Sequence, residues 1–158
     1  IIIVLFFLTF GIVEYRFNEE IKPVAAVEFL KNEKIPGNMY NEYEFGDYVI
    51  YKAYPQYKVF IDGRADMYGS TRLKEYYHVN NLKNNWTEIL TKHDINFIFF
   101  ETDSLFTKYL VERKEWSLIY SDKVATIYVR NNTENAPIIR KYKKTKLFVS
   151  ADEEDANP

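Results

Sequence analysis

Residues 96 to 100, Asn-Phe-Ile-Phe-Phe, are apolar at every position but the first. Successive side chains of a strand point to opposite faces, so a run without alternation needs cover on both sides of its sheet. Burial of that kind belongs to a central, typically parallel strand with helices over both faces. A second run, Lys58 to Ile61, leads straight into Asp62, Gly63, Arg64 and Asp66, then Tyr68 and Gly69. This pattern predicts a buried strand that ends in a polar loop, where α/β sheets place their ligands.

The intervening segments alternate with these strands. Asn18 to Lys34 predicts a helix, with Pro23 in its first turn and Val24, Val27 and Leu30 at helical spacing, stopped by Ile35-Pro36-Gly37. Asn38 to Asn41 is a short strand. Asn41 and Glu44 then have capping-box spacing and open a helix over Phe45 to Ala53. Further helices are expected over Thr71 to Val79, from the Asn85 and Glu88 pair to Lys92, and over Asp103 to Lys114. Trp116 to Tyr120 and Val124 to Arg130 form an antiparallel pair. The expected fold class is α/β: a mixed, largely parallel central sheet containing Met39, Phe60 and Phe97, flanked by helices and closed by a C-terminal antiparallel hairpin.

Ile1 to Val13 is apolar except for Thr9 and Gly11. A helix of that length spans about 20 Å of the roughly 30 Å hydrocarbon core and has no polar stripe, so the end of a transmembrane helix is expected over residues 1–15. Its flank lacks a basic excess, which favours a non-cytoplasmic side. An α/β domain is then expected over 18–131 and a charged, flexible tail over 132–158. With two histidines and no cysteine, thiolate metal sites, disulfides and cysteine nucleophiles are excluded. A net charge of −2 gives no overall attraction for nucleic acid.

The polar residues after the expected strands are Asn41 and Glu42, then Asp62 to Asp66, then Glu101 and Asp103. Glu42, Glu101 and Asp103 read first as acids that cap the following helices. For Asp62 and Arg64 a site reading is stronger: an Asp and an Arg two residues apart can orient a shared partner, and Gly63 between them points to a special backbone angle. Asp62 and Asp66 are the weak candidates for a hard cation held with waters. His78 and His93 have no ligand spacing and read as surface or packing residues. The chain has no glycine-rich phosphate loop, nucleophile elbow or His-Glu-x-x-His pattern, and no catalytic residue is assigned.

Asn41-Glu42-Tyr43-Glu44-Phe45-Gly46-Asp47-Tyr48-Val49-Ile50, followed by Val59-Phe60-Ile61-Asp62-Gly63-Arg64-Ala65-Asp66-Met67-Tyr68-Gly69, resembles the soluble, extracytoplasmic C-terminal domain of polytopic, glycosyltransferase-like (GT-C type) membrane proteins. Trp86 to Leu90 and Trp116 to Asp122 match further runs of that domain, in the same order. Phe45-Gly46-Asp47-Tyr48 is also loosely similar to the Trp-Trp-Asp-Tyr-Gly motif of oligosaccharyltransferases, without its tryptophans. The resemblance implies a non-catalytic domain with a structural or acceptor-positioning role, in a parent enzyme that uses lipid-linked sugar and whose chemistry lies elsewhere. It makes Glu44, Asp47, Tyr48, Asp62, Arg64, Asp66 and Tyr68 the candidates for substrate or acceptor contact. No cofactor is implied for this region, a divalent metal belonging to the parent. The implied partners are the membrane through the N-terminal segment, the parent's own spans, and lipid-linked sugar or acceptor, with the cell membrane as location. The alternatives are a membrane-anchored, metal-assisted hydrolase using Asp62 and Asp66, and a protein- or glycan-binding module using a tyrosine-rich surface.

Overall fold

The computed structural model describes residue 18 and residues 21–143. Its helices are α1 (Val24–Glu33), α2 (Tyr43–Ala53), α3 (Ala65–Asn80), α4 (Trp86–Lys92) and α5 (Leu105–Leu110), with further helical turns at 136–143. The strands are β1 (Asn38–Asn41), β2 (Ile95–Glu101), β3 (Trp116–Ser121) and β4 (Ala125–Arg130), in one sheet ordered β1-β2-β4-β3. Only β1 and β2 are parallel. The β2–β4 and β3–β4 pairs are antiparallel, so the sheet is mixed but mostly antiparallel, which corrects the expectation of a largely parallel one.

The unbroken apolar run works as its composition requires. Every residue of β2 from Ile95 to Phe100 is buried. Phe97 and Phe99 join Met39, Ile127 and Val129 on one face, against Val27 and Leu30 of α1 and Phe45 and Val49 of α2. Ile98 and Phe100 join Tyr40 and Tyr128 on the other, against Tyr76 of α3, Leu90 of α4, and Phe106 and Leu110 of α5. Burying a large apolar side chain contributes roughly 1.5–3 kcal/mol, so β2, with two covered faces, is the main seam of the core.

Two expectations fail for local reasons. Phe60 is not part of the sheet, because Lys58 to Ile61 forms no ladder. The buried side chain of Asn41 takes the place of a neighbouring strand: its Oδ1 accepts from Phe60 N at 2.7 Å and its Nδ2 donates to Ile61 O at 2.8 Å. One side-chain amide thus satisfies backbone groups that a strand would have offered to a neighbour. Asn41 is consequently not the helix cap. Glu42 is, accepting from Tyr43 N through its own side chain.

The expected transmembrane end over 1–15 lies outside the described residues. Among those described, no helix is long and apolar enough to cross a membrane. Of the segment expected as a charged tail, residues 136–143 are helical, and Ile138, Ile139 and Tyr142 pack on the α1 face of the core. Tyr142 donates to Glu33 Oε1 at 2.6 Å, tying these turns to the end of α1.

Candidate functional site

Asp62 follows the Asn41-bound segment, just beyond the carboxyl end of β1, and its surface is fully buried. Its Oδ1 accepts from the Arg64 backbone N–H at 2.8 Å and from Arg64 Nε at 3.0 Å. Its Oδ2 accepts from Arg64 Nη2 at 2.6 Å and from the Tyr68 hydroxyl at 2.5 Å. The Arg64 side chain is 55% exposed, so one end of this pair is interior and the other faces solvent. The guanidinium, with burial working against it and Tyr68 helping, holds the Asp62 carboxyl at about 2. Burial first, and then the Asp62 charge, push the Tyr68 hydroxyl up to about 12.

Two glycines make this geometry possible. Gly69 has φ of 73° inside α3 and breaks its helical path, so that Tyr68 ends a short first turn directed back at Asp62. The expected special angle therefore belongs to Gly69, and Gly63 has no positive φ. Gly46 is the point of closest approach between α2 and the Asp62 segment. A Cβ there would lie 2.8 Å from Asp62 Cα and 2.7 Å from Asp62 Cβ, and would also strike the Ile61 carbonyl.

A second buried carboxylate lies close by in the chain. Glu42 Oε1 accepts from Tyr43 N at 2.9 Å and from the Tyr76 hydroxyl at 2.8 Å, and Tyr43 N also donates to that hydroxyl at 3.2 Å. The Tyr40 hydroxyl donates to the Tyr76 carbonyl at 3.0 Å, extending the network beneath α3. Burial raises the Glu42 carboxyl above its ordinary range, and the neighbouring Glu101 charge adds to that, against the Tyr76 hydrogen bond. Burial also pushes the Tyr76 hydroxyl far above its ordinary value.

Of the sequence candidates, the structure brings together Asp62, Arg64 and Tyr68. Asp47 is exposed beside them, its Oδ2 2.8 Å from where a Gly63 Cβ would lie. The others do not join this group. Tyr48 is buried in the α2 face of the core, Glu44 is exposed with its carbonyl accepting from Lys22 Nζ, and Asp66 is exposed in the first turn of α3. His93 is a packing residue: Nε2 lies 2.7 Å from Glu75 Oε2 and Nδ1 3.2 Å from Arg72 Nη1, so both ring nitrogens are committed. His78 meets Asn85 on the surface.

Arg64 and Tyr68 line a recess of about 380 Å³ with Ile50, Tyr54, Tyr57, Lys58 and Val59. Lys58 and Tyr54 are exposed, and Tyr57 is fixed by its hydroxyl on the Leu30 carbonyl at 2.8 Å. The sequence reading missed Lys58, Tyr54 and Tyr57 as neighbours of Arg64. Their only signal was proximity to the Asp62 loop, since Lys58 and Val59 read as the start of a strand.

Comparison with protein families, with curated proteins and with solved structures finds no match for this chain. The resemblance to the C-terminal domain of glycosyltransferase-like membrane proteins is therefore corrected. With it go the parent glycosyltransferase, the lipid-linked sugar or acceptor, the partnership with membrane spans and the assignment to the cell membrane, none of which has support among the described residues. The metal-assisted hydrolase fails on chemistry. Both Asp62 oxygens are occupied by Arg64 and Tyr68, Asp66 stands apart, and no group of three potential ligands occurs among the described residues. Of the tyrosines, Tyr40, Tyr48, Tyr57, Tyr76 and Tyr128 serve the interior, while Tyr51, Tyr54 and Tyr77 are exposed.

Proposed function

We propose that this domain recognises a small carboxylate carried on an apolar body, with the recess beside Arg64 as its site. The observation that carries this reading is the two-pronged Asp62–Arg64 pair, in which a buried carboxylate holds a half-exposed guanidinium by Nε and Nη2. That hold fixes the guanidinium on the wall of the recess. A guanidinium fixed in advance loses little side-chain entropy when it binds, and its planar fork suits a carboxylate. Arg64 and Lys58 are the charged residues that line the recess, and no carboxylate lines it. Ile50, Val59 and the tyrosine rings supply the apolar wall. The free energy of binding then comes from desolvating the apolar body, and the cations fix its orientation.

Titration of the full chain with phenylacetate and with hexanoate, followed by backbone amide resonances, tests this. Saturable shifts are expected at Lys58, Val59, Arg64 and Tyr68, weakened by roughly tenfold in Arg64→Gln, which removes the charge-assisted bonds. Shifts that do not saturate, or that Arg64→Gln leaves unchanged, would overturn the reading.

A further inference from the structure

The chain's two tryptophans, Trp86 and Trp116, line one recess of about 320 Å³. It lies on the side of β3, the sheet edge opposite β1, and Arg113 and Arg130 share its wall. Each guanidinium is stacked. Arg113 sits 4.1 Å over the Tyr109 ring and Arg130 sits 4.7 Å over the Trp116 ring. Arg130 is further fixed by its Nε, which donates to the Ile95 carbonyl at 3.0 Å. Stacking occupies the faces of a guanidinium and leaves its in-plane N–H groups available.

Neither arginine forms an ion pair with a carboxylate among the described residues, although the exposed Glu115 borders the same recess. Two half-buried cations that share a wall repel each other, and that cost is removed by an anion placed between them. Trp86 is held in place by edge contacts with Phe106 and Tyr109, both with ring centroids 5.9 Å away, and is itself only partly buried. An indole so braced is a stacking platform for a flat ring.

We infer that this recess binds a phosphate monoester carried on an aromatic ring, the phosphate between Arg113 and Arg130 and the ring against Trp86. Two guanidinia match a doubly charged, many-oxygen group better than a single carboxylate. The volume stands at the lower end of small-molecule sites, about 300–1,000 Å³, which suits one ring system with its phosphate.

Because only these two residues carry an indole N–H, a proton–nitrogen spectrum of the full chain reports on this recess alone through two side-chain signals. Phenyl phosphate is expected to move both saturably, while phenol and inorganic phosphate each bind at least roughly tenfold more weakly. Arg113→Gln, which loses a group that only stacks on Tyr109, is expected to weaken phenyl phosphate by roughly tenfold and to keep a folded spectrum. Lys123→Gln, on the exposed β3–β4 turn, leaves binding unchanged. The inference is overturned by indole signals that phenyl phosphate does not move, by inorganic phosphate binding as tightly as the ester, or by an Arg113→Gln variant that binds as well as the parent.

Discussion

Asp62 and Glu42 are both buried carboxylates, both accept from a tyrosine hydroxyl and from a backbone N–H, and both adjoin α2. Their acidities nevertheless move in opposite directions. Asp62 falls to about 2, and Glu42 rises above its ordinary value of 4.5. The difference lies in one residue. Asp62 has the Arg64 guanidinium on both oxygens, whereas Glu42 has only neutral donors and a second acid, Glu101, nearby. Neutral hydrogen bonds soften the cost of burying a charge, and a cation in bidentate contact reverses it. The two sites therefore respond to pH with opposite signs. Asp62 binds fewer protons folded than unfolded, so its stabilisation is present above its ordinary 3.8 and is lost as pH falls through about 2. Glu42 binds more protons folded than unfolded. Its contribution is full below 4.5 and declines as pH rises through its raised folded value.

The largest effect is expected where α2 supports the Asp62 side of the contrast. In an exposed helix Gly→Ala gains about 1 kcal/mol. At Gly46 the new methyl would meet backbone atoms of Ile61 and Asp62, which cannot swing aside. A net loss of about 3 kcal/mol is expected for Gly46→Ala, measured by denaturant unfolding. A stabilised variant would mean that the Asp62 segment is not seated on the helix. Next is Asp62→Asn, which removes the charge and leaves Arg64 with a neutral amide. Because the guanidinium is half exposed and can take up water, the cost is set below that of a fully buried pair, at about 2 kcal/mol. The variant should also lose the parent's steep decline in acid. An equal acid decline in both proteins would assign that decline to other groups.

How much of this was legible follows from the range of each signal. β2 was readable because an apolar run without alternation can be satisfied only between two helical layers, and Ile95 to Phe100 is so placed. The Asp62–Arg64 pairing was readable because its partners are two residues apart. The parallel order of the sheet was not. Strand direction depends on which strand lies beside β2, and it is β4, returning antiparallel, that does. The place of Lys58 to Ile61 turned on one side chain, Asn41, whose amide bonds in place of a ladder across about twenty residues of sequence. The Glu42–Tyr76 contact spans 34 residues and two helices, and no local spacing announces it. Lys58 and Tyr54 reach the Arg64 recess only because the chain folds back on itself there, so composition and periodicity are silent about them.

The smallest effect, and the sharpest use of the contrast, is expected from Glu42→Gln. Glutamine keeps a carbonyl oxygen for Tyr43 N and the Tyr76 hydroxyl and carries no charge to desolvate. Two terms oppose each other. Hydrogen bonds to a charged acceptor contribute about 1.5–3 kcal/mol against about 1 for a neutral one, which favours the parent. Burial of the charge, aided by Glu101, favours the variant, and the upward direction of the Glu42 shift says that this term is the larger. Near neutral pH the glutamine variant is therefore expected to be the more stable of the two, by no more than about 0.5 kcal/mol. The reading lies in the difference between them, since other groups titrate equally in both. From about pH 4.5 upward the parent should lose stability relative to Glu42→Gln, in the opposite sense to the comparison of the parent with Asp62→Asn in acid. Denaturant unfolding at a series of pH values, with both proteins measured side by side, gives this difference directly. A parent that gains on the glutamine variant as pH rises would show that Glu42 is stabilised as an anion. The distinction between the two carboxylates would then rest on the strength of a shared mechanism, not on its sign.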